Sequence, residues 1–145
     1  MMAADKGRAL LWHGVFLFLL GLLTGMATGA MSNPRMGLSA HLEGVMNGLF
    51  LLALGLLWGR LRLSARWLTA LFWLALYGTY VNWASTLAAA IFGTGRSTPI
   101  AGAGHHSGIW QENLVDAGLY SLSIAMLAVC VIVLVGLRPG DEAPH

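Results

Sequence analysis

The stretch Ala40-His41-Leu42-Glu43-Gly44-Val45-Met46-Asn47-Gly48 places an imidazole, a carboxylate and an amide inside an otherwise apolar run. An ionisable side chain at membrane depth is costly and marks a functional site by default. Helical spacing puts Glu43 and Asn47 on one face. His41, Gly44 and Gly48 fall on a neighbouring face, where the missing side chains let something bulky approach. The plainer alternative makes Gly44 and Gly48 a G-x-x-x-G packing seam and His41 an interfacial residue satisfied by a loop carbonyl. An imidazole here suits an axial ligand for haem iron or a ligand for another metal. Glu43, Glu112 and Asp116 offer acid–base chemistry, and Tyr80 and Asn82 can orient a small polar substrate. A three-ligand zinc site is disfavoured, since there is no H-x-x-x-H or cysteine pair and His105-His106 sits in a connection, solvated or structural.

The elements that must carry these groups follow from composition. The 145 residues are 57% hydrophobic and 10% charged, with mean hydropathy +0.72. Soluble domains carry about 25% charged residues, so this is an integral membrane protein. A span needs about 20 apolar residues, which leaves room for an all-α, four-helix membrane bundle and no separate soluble domain. The spans are read at residues 10–30, 38–59, 67–92 and 109–137, followed by a polar tail over 138–145. The first is a span and not a signal peptide, because its apolar run is too long and lacks a cleavage site.

Gly21, Gly25 and Gly29 form a smooth ridge on span one, suited to close packing and to contact between subunits. His13 is read as interfacial. Asn33-Pro34, with Gly37, ends the first helix, and Ser39 caps the second. The lone Cys130 is an inert small hydrophobe, and the tryptophans are belt or packing residues. Lys6, Arg8, Arg60, Arg62, Arg66 and Arg138 share one side against Arg35 and Arg96 opposite. That bias puts both termini in the cytoplasm, in a bacterial inner membrane, and gives no hint of nucleic-acid binding.

Depth then tests for convergence. At 1.5 Å rise per residue, His41 lies about one turn below the outer face, Asn47 roughly 13 Å below it, and Tyr80 and Asn82 roughly 15–18 Å. Glu112, Asn113 and Asp116 fall within about two turns of the same face. Polar groups from three helices therefore gather in the outer half of the bilayer, as a pocket would require.

The four-span layout, the turn Asn33-Pro34-Arg35-Met36-Gly37 and the histidine followed six positions later by Asn47-Gly48 resemble the small membrane isomerases of aromatic degradation. These are the hydroxylaminobenzene mutases and the styrene oxide isomerases. The resemblance covers all four spans. It implies that His41 is the axial ligand of a ferric haem b lying between the subunits of a trimer, with Gly44 and Gly48 leaving room for the porphyrin. Asn47 would contact the substrate. Span three lacks a one-to-one match for an aspartate and a tyrosine of the epoxide enzymes, and its run Tyr77 to Trp83 looks closer to the mutase branch.

The implied reaction turns an N-aryl hydroxylamine into a 2-aminophenol, with the ferric haem as Lewis acid. Asn47, Tyr80 and Asn82 orient the substrate, and Glu43 or Asp116 shuttles a proton. One alternative is an epoxide isomerase giving an aryl acetaldehyde. Another is a non-enzymatic haem-binding membrane subunit, which would need a second axial ligand from His13 or His106.

Overall fold

The computed structural model describes residues 3–138, all helix and connection, with no strand among them. Most of the expected polar tail lies outside the described residues. Four long helices, α1 (Ala3–Ala27), α2 (Pro34–Leu57), α3 (Ala65–Phe92) and α5 (Ile109–Gly136), run up and down, with a four-residue α4 (Pro99–Gly102) in the last connection. Single 3-10 turns, Thr28–Ala30 and Trp58–Arg60, extend α1 and α2.

The helix starts differ from expectation in an instructive way. Asn33-Pro34 does not stop a helix; it begins one. The Asn33 side chain accepts the Met36 N–H at 3.1 Å, and Pro34 occupies the first turn, where its missing N–H costs nothing. α2 therefore starts before residue 38, and Ser39 lies inside it, its hydroxyl donating to Arg35 O. At the other end of α3, Gly93 adopts φ +70° and closes the helix with its N–H on Ala89 O, the left-handed cap that glycine adopts without strain.

Three segments are long and apolar enough to cross a membrane: Asp5–Ala30, Pro34–Arg60 and Ile109–Gly136. They turn large apolar side chains outward, including Leu56, Ile124 and Leu127, as expected where lipid is the solvent. α3 is as long, but Thr79, Tyr80, Asn82, Ser85 and Thr86 lower its hydropathy. The start of α1, the end of α2, the start of α3 and the end of α5 gather at one end. Lys6 bonds Thr69, a Cβ on Gly7 would meet Trp58 at 3.2 Å, and Arg62 N–H donates to Gly136 O at 2.9 Å. Six of the eight basic residues of the chain stand at this end.

Lipid is as apolar as leucine, so burial of side chains such as Leu10, Leu17, Leu51 and Leu71 gives little drive for helices to meet in a bilayer. Close backbone approach supplies it instead. A Cβ on Gly44 would lie 2.5 Å from Gly21 Cα, one on Gly48 2.7 Å from Phe18 N, and one on Gly55 3.0 Å from Gly7 O. The α1 side of this seam is Gly7, Gly14 and Gly21, one every seven residues. Of the expected ridge of Gly21, Gly25 and Gly29, Gly21 and Gly25 do pack closely on α2, against Val45 N and the His41 ring, while Gly29 faces open space.

Candidate functional site

The α1–α2 seam fixes where His41 goes. Its Nδ1 lies 2.8 Å from the Gly21 carbonyl oxygen. A carbonyl only accepts, so Nδ1 carries a proton, and Nε2 is the nitrogen left to act as a ligand. A Cβ on Gly25 would stand 2.6 Å from Nδ1, so glycine there is what allows the ring to lie against α1. A ring nitrogen tied to a backbone carbonyl, with the other one free, is the usual arrangement of a metal-binding histidine.

Two residues on, Glu43 accepts two amide donors at one carboxylate oxygen, Oε2: Asn47 Nδ2 at 3.1 Å and Asn82 Nδ2 at 2.6 Å. Asn47 also donates to the Glu43 backbone carbonyl at 2.8 Å and is 7% exposed. The i, i+4 spacing and the matching depth of α3 thus bring Glu43, Asn47 and Asn82 together. Among the described residues no cation pairs with Glu43, whose support is two neutral amides.

Other candidates go elsewhere. Tyr80 and Asn82 are two apart on α3, roughly 200° around the helix, and do not face the same way. The Tyr80 hydroxyl lies 2.9 Å from His13 Nδ1 on α1.

Asp116 is drawn into a clasp on the 93–108 connection. It accepts Arg96 Nε at 2.7 Å and the Ser97 hydroxyl at 2.5 Å, and forms an ion pair with the same guanidinium. Both its oxygens are committed there, so the structure does not bring it together with Glu43, Asn47 and Asn82. Glu112, 6% exposed, accepts the N–H groups of Gly95, Arg96 and Ser107. Both acids tie the 93–108 connection to α5. His105 Nδ1–H donates to Gly102 O at 2.9 Å, and His106 is exposed.

The clasp makes a direct prediction. Glu112→Ala strands three backbone donors, a loss of about 1–3 kcal/mol, and frees the connection before any helix melts. Limited trypsin digestion should then cleave after Arg96 in the variant well before the wild type; equal cleavage would show that the carboxylate does not hold the loop.

Gly44 and Gly48 were expected to leave space for a porphyrin. They do not: the space is filled by Gly21, Phe18 N and Trp83, whose Cδ1 would lie 3.0 Å from a Cβ on Gly44. The plainer packing reading holds for both. Two partners escaped sequence reasoning. His13, read as interfacial, reaches across to the Tyr80 hydroxyl near the middle of α3, a partner that its place on α1 did not announce. Trp83 donates its indole N–H to Thr24 Oγ1 at 3.1 Å, and Thr24 donates on to Leu20 O at 2.8 Å.

The donor set can be tested against a cofactor. Among the described residues no three His, Cys, Asp or Glu side chains cluster as a metal site, so a bare metal would find too few ligands. A single oriented imidazole fits a metal that brings its own equatorial ligands and asks the protein for one, as haem does. An open groove of about 570 Å³ runs between α3 and α5, lined by Tyr77, Val81, Ser85, Gly118 and Ser121, on a different part of the bundle from Glu43 and His41.

Comparison with known proteins places the chain in a family. A family model described as styrene oxide isomerase matches residues 6–138. The chain is 54% identical over 136 residues to hydroxylaminobenzene mutase HabB of Ectopseudomonas oleovorans, covering 93% of this chain and 83% of that protein. It is 46% identical over 125 residues to hydroxylaminobenzene mutase HabA of the same organism, covering 86% of this chain and 93% of that one. No solved structure matches it significantly. With nearly its whole length matched by the family and by two mutases, the chain belongs to the styrene oxide isomerase family, as an isomerase of the mutase kind.

Proposed function

We propose that this protein rearranges an N-aryl hydroxylamine, such as hydroxylaminobenzene, to a 2-aminophenol inside the membrane, with a ferric haem b held by His41. The observation that carries the reaction class is the 54% identity to a hydroxylaminobenzene mutase over 93% of the chain. The geometry agrees with it: an imidazole with a free Nε2 and an amide-braced carboxylate stand two residues apart on one helix.

When bound, the haem supplies a Lewis acid for the hydroxylamine oxygen, favouring N–O cleavage. The chain's own groups do the rest. In the net change a hydroxyl moves from nitrogen to the ortho ring carbon, and the proton leaving that carbon ends on nitrogen; nothing is oxidised or reduced overall. Glu43 is placed to take that proton and return it. Asn47 and Asn82 give their N–H groups to Glu43, which leaves their carbonyl oxygens to accept from the substrate N–H or O–H. The apolar side chains around them exclude water, limiting hydrolysis of a cationic intermediate.

In this reading α3 completes four spans, and the end bearing six basic residues, with both termini, lies in the cytoplasm. Apolar aromatic substrates reach the site from the bilayer. A bundle this thin encloses a porphyrin only with help from a second copy, which fits a homo-oligomer, a trimer by resemblance. The test is incubation of detergent-purified protein with phenylhydroxylamine and, separately, styrene oxide. The expected product is 2-aminophenol from the first. Phenylacetaldehyde from the second alone would move the chain to the epoxide branch that the matching family is described by.

A further inference from the structure

The turn of α1 that seats His41 carries a second polar contact, which the proposed chemistry does not use. Trp83 of α3 donates its indole N–H to Thr24 Oγ1 at 3.1 Å, and Thr24 donates its own hydroxyl proton to Leu20 O at 2.8 Å. The direction of this chain is fixed, because an indole N–H only donates and a carbonyl only accepts. It ends on the carbonyl next to Gly21 O, which holds His41 Nδ1 at 2.8 Å. Thr24 is 6% exposed and precedes Gly25, whose bare Cα lies against the same imidazole. The neighbouring atom of the indole faces α2: Trp83 Cδ1 would stand 3.0 Å from a Cβ on Gly44. One ring edge of α3 thus meets both helices where His41 is seated.

The α1–α2 seam is built of bare Cα atoms at Gly21 and Gly44. Such a surface lets backbones come close but offers no knobs to set their rotation or register. A directional hydrogen bond does set them, and at membrane depth no water competes for the indole N–H. We propose that Trp83 and Thr24 are positioning residues for His41. The indole bond pins the turn of α1 over residues 20–25, so that the Gly21 carbonyl stays on Nδ1–H and Nε2 is held in one direction as a ligand. This deepens the proposed function and rests on it for the haem that Nε2 is held to bind. Both residues act only through the His41 ring.

The test compares full-length proteins purified in detergent. Thr24→Val keeps the shape of the side chain and removes the hydroxyl; Thr24→Ser keeps the hydroxyl; Trp83→Phe keeps an aromatic ring and removes the donor. Thr24→Val and Trp83→Phe are expected to lose haem to a scavenging globin about tenfold faster than the wild type, and Thr24→Ser within about twofold of it. The resonance Raman iron–histidine stretch of the dithionite-reduced protein should fall in the first two and not in Thr24→Ser, since the bond to Gly21 O raises the basicity of the ligand nitrogen. A third readout needs no haem: the Nδ1 resonance of nitrogen-labelled histidine that His41→Ala removes should move in Thr24→Val and stay in Thr24→Ser. The inference is overturned by a stretch and a resonance that do not move in Thr24→Val and Trp83→Phe. It is equally overturned if Thr24→Ser behaves as Thr24→Val does, which would leave the pair as packing alone. A wild type without a Soret band is a different failure, that of the haem in the proposed function, and the Nδ1 resonance then decides the inference by itself.

Discussion

His41→Ala should yield a folded protein without a Soret band, and with turnover of phenylhydroxylamine reduced by at least about a hundredfold. Loss of an outer partner of a metal ligand already costs about 10–100-fold in affinity or activity, and removal of the ligand itself costs more. The expectation rests on the seat of the ring. Gly21 O fixes Nδ1, and the bare Cα of Gly25 makes room for the imidazole. A companion variant isolates that seat: in Gly25→Ala the new methyl would stand 2.6 Å from Nδ1, so the ring must turn. The Soret band should then shift or weaken while His41 remains in place. Spectra before and after dithionite, with circular dichroism as a control for helix content, read both effects. An unchanged Soret band in His41→Ala would remove His41 as the ligand, whereas a folded wild type without any Soret band would leave Glu43 as the centre of a cofactor-free acid–base site.

How far the site could be read from the sequence depended on where each partner came from. Glu43 and Asn47 are four apart on a helix, and local periodicity alone puts them together. Asn82 came from a comparison of depths on two antiparallel helices, and the 2.6 Å bond to Glu43 shows that such a comparison reaches across helices. It failed for Asp116 at similar depth, because that acid is claimed by Arg96 and Ser97 of a connection whose path no periodicity describes. Glu112 was hidden for the same reason, since its partners are backbone N–H groups. Tyr80 shows a different limit. Depth locates a residue along a helix, but its direction around the axis is settled by neighbours, and here that neighbour is His13. Asn33-Pro34 carried the right signal with the wrong sign, because the same pair that interrupts one helix caps and opens the next.

The glycines were legible as a motif and illegible as a role, and one substitution separates the two readings. Gly44→Ala should lower the thermal midpoint of the purified protein by roughly 2–10 °C, the range expected for about 1–3 kcal/mol of overpacking. The added methyl would lie 2.5 Å from Gly21 Cα and 2.9 Å from Gly21 N. Those are backbone atoms that cannot swing aside, so α1 and α2 must part along the seam. Gly29→Ala meets nothing within 4 Å and should melt as the wild type does. Had Gly44 served to admit a porphyrin, its alanine variant would keep the wild-type midpoint and lose only Soret intensity. The seam predicts the reverse order: stability falls first, and the Soret band changes as a consequence, because the Gly21 carbonyl that orients His41 belongs to the same backbone that Gly44→Ala displaces. Helix packing and the orientation of the candidate ligand are therefore one structural quantity in this protein, and melting and spectrum measured on the same samples should move together along a series from Gly29→Ala to Gly48→Ala to Gly44→Ala.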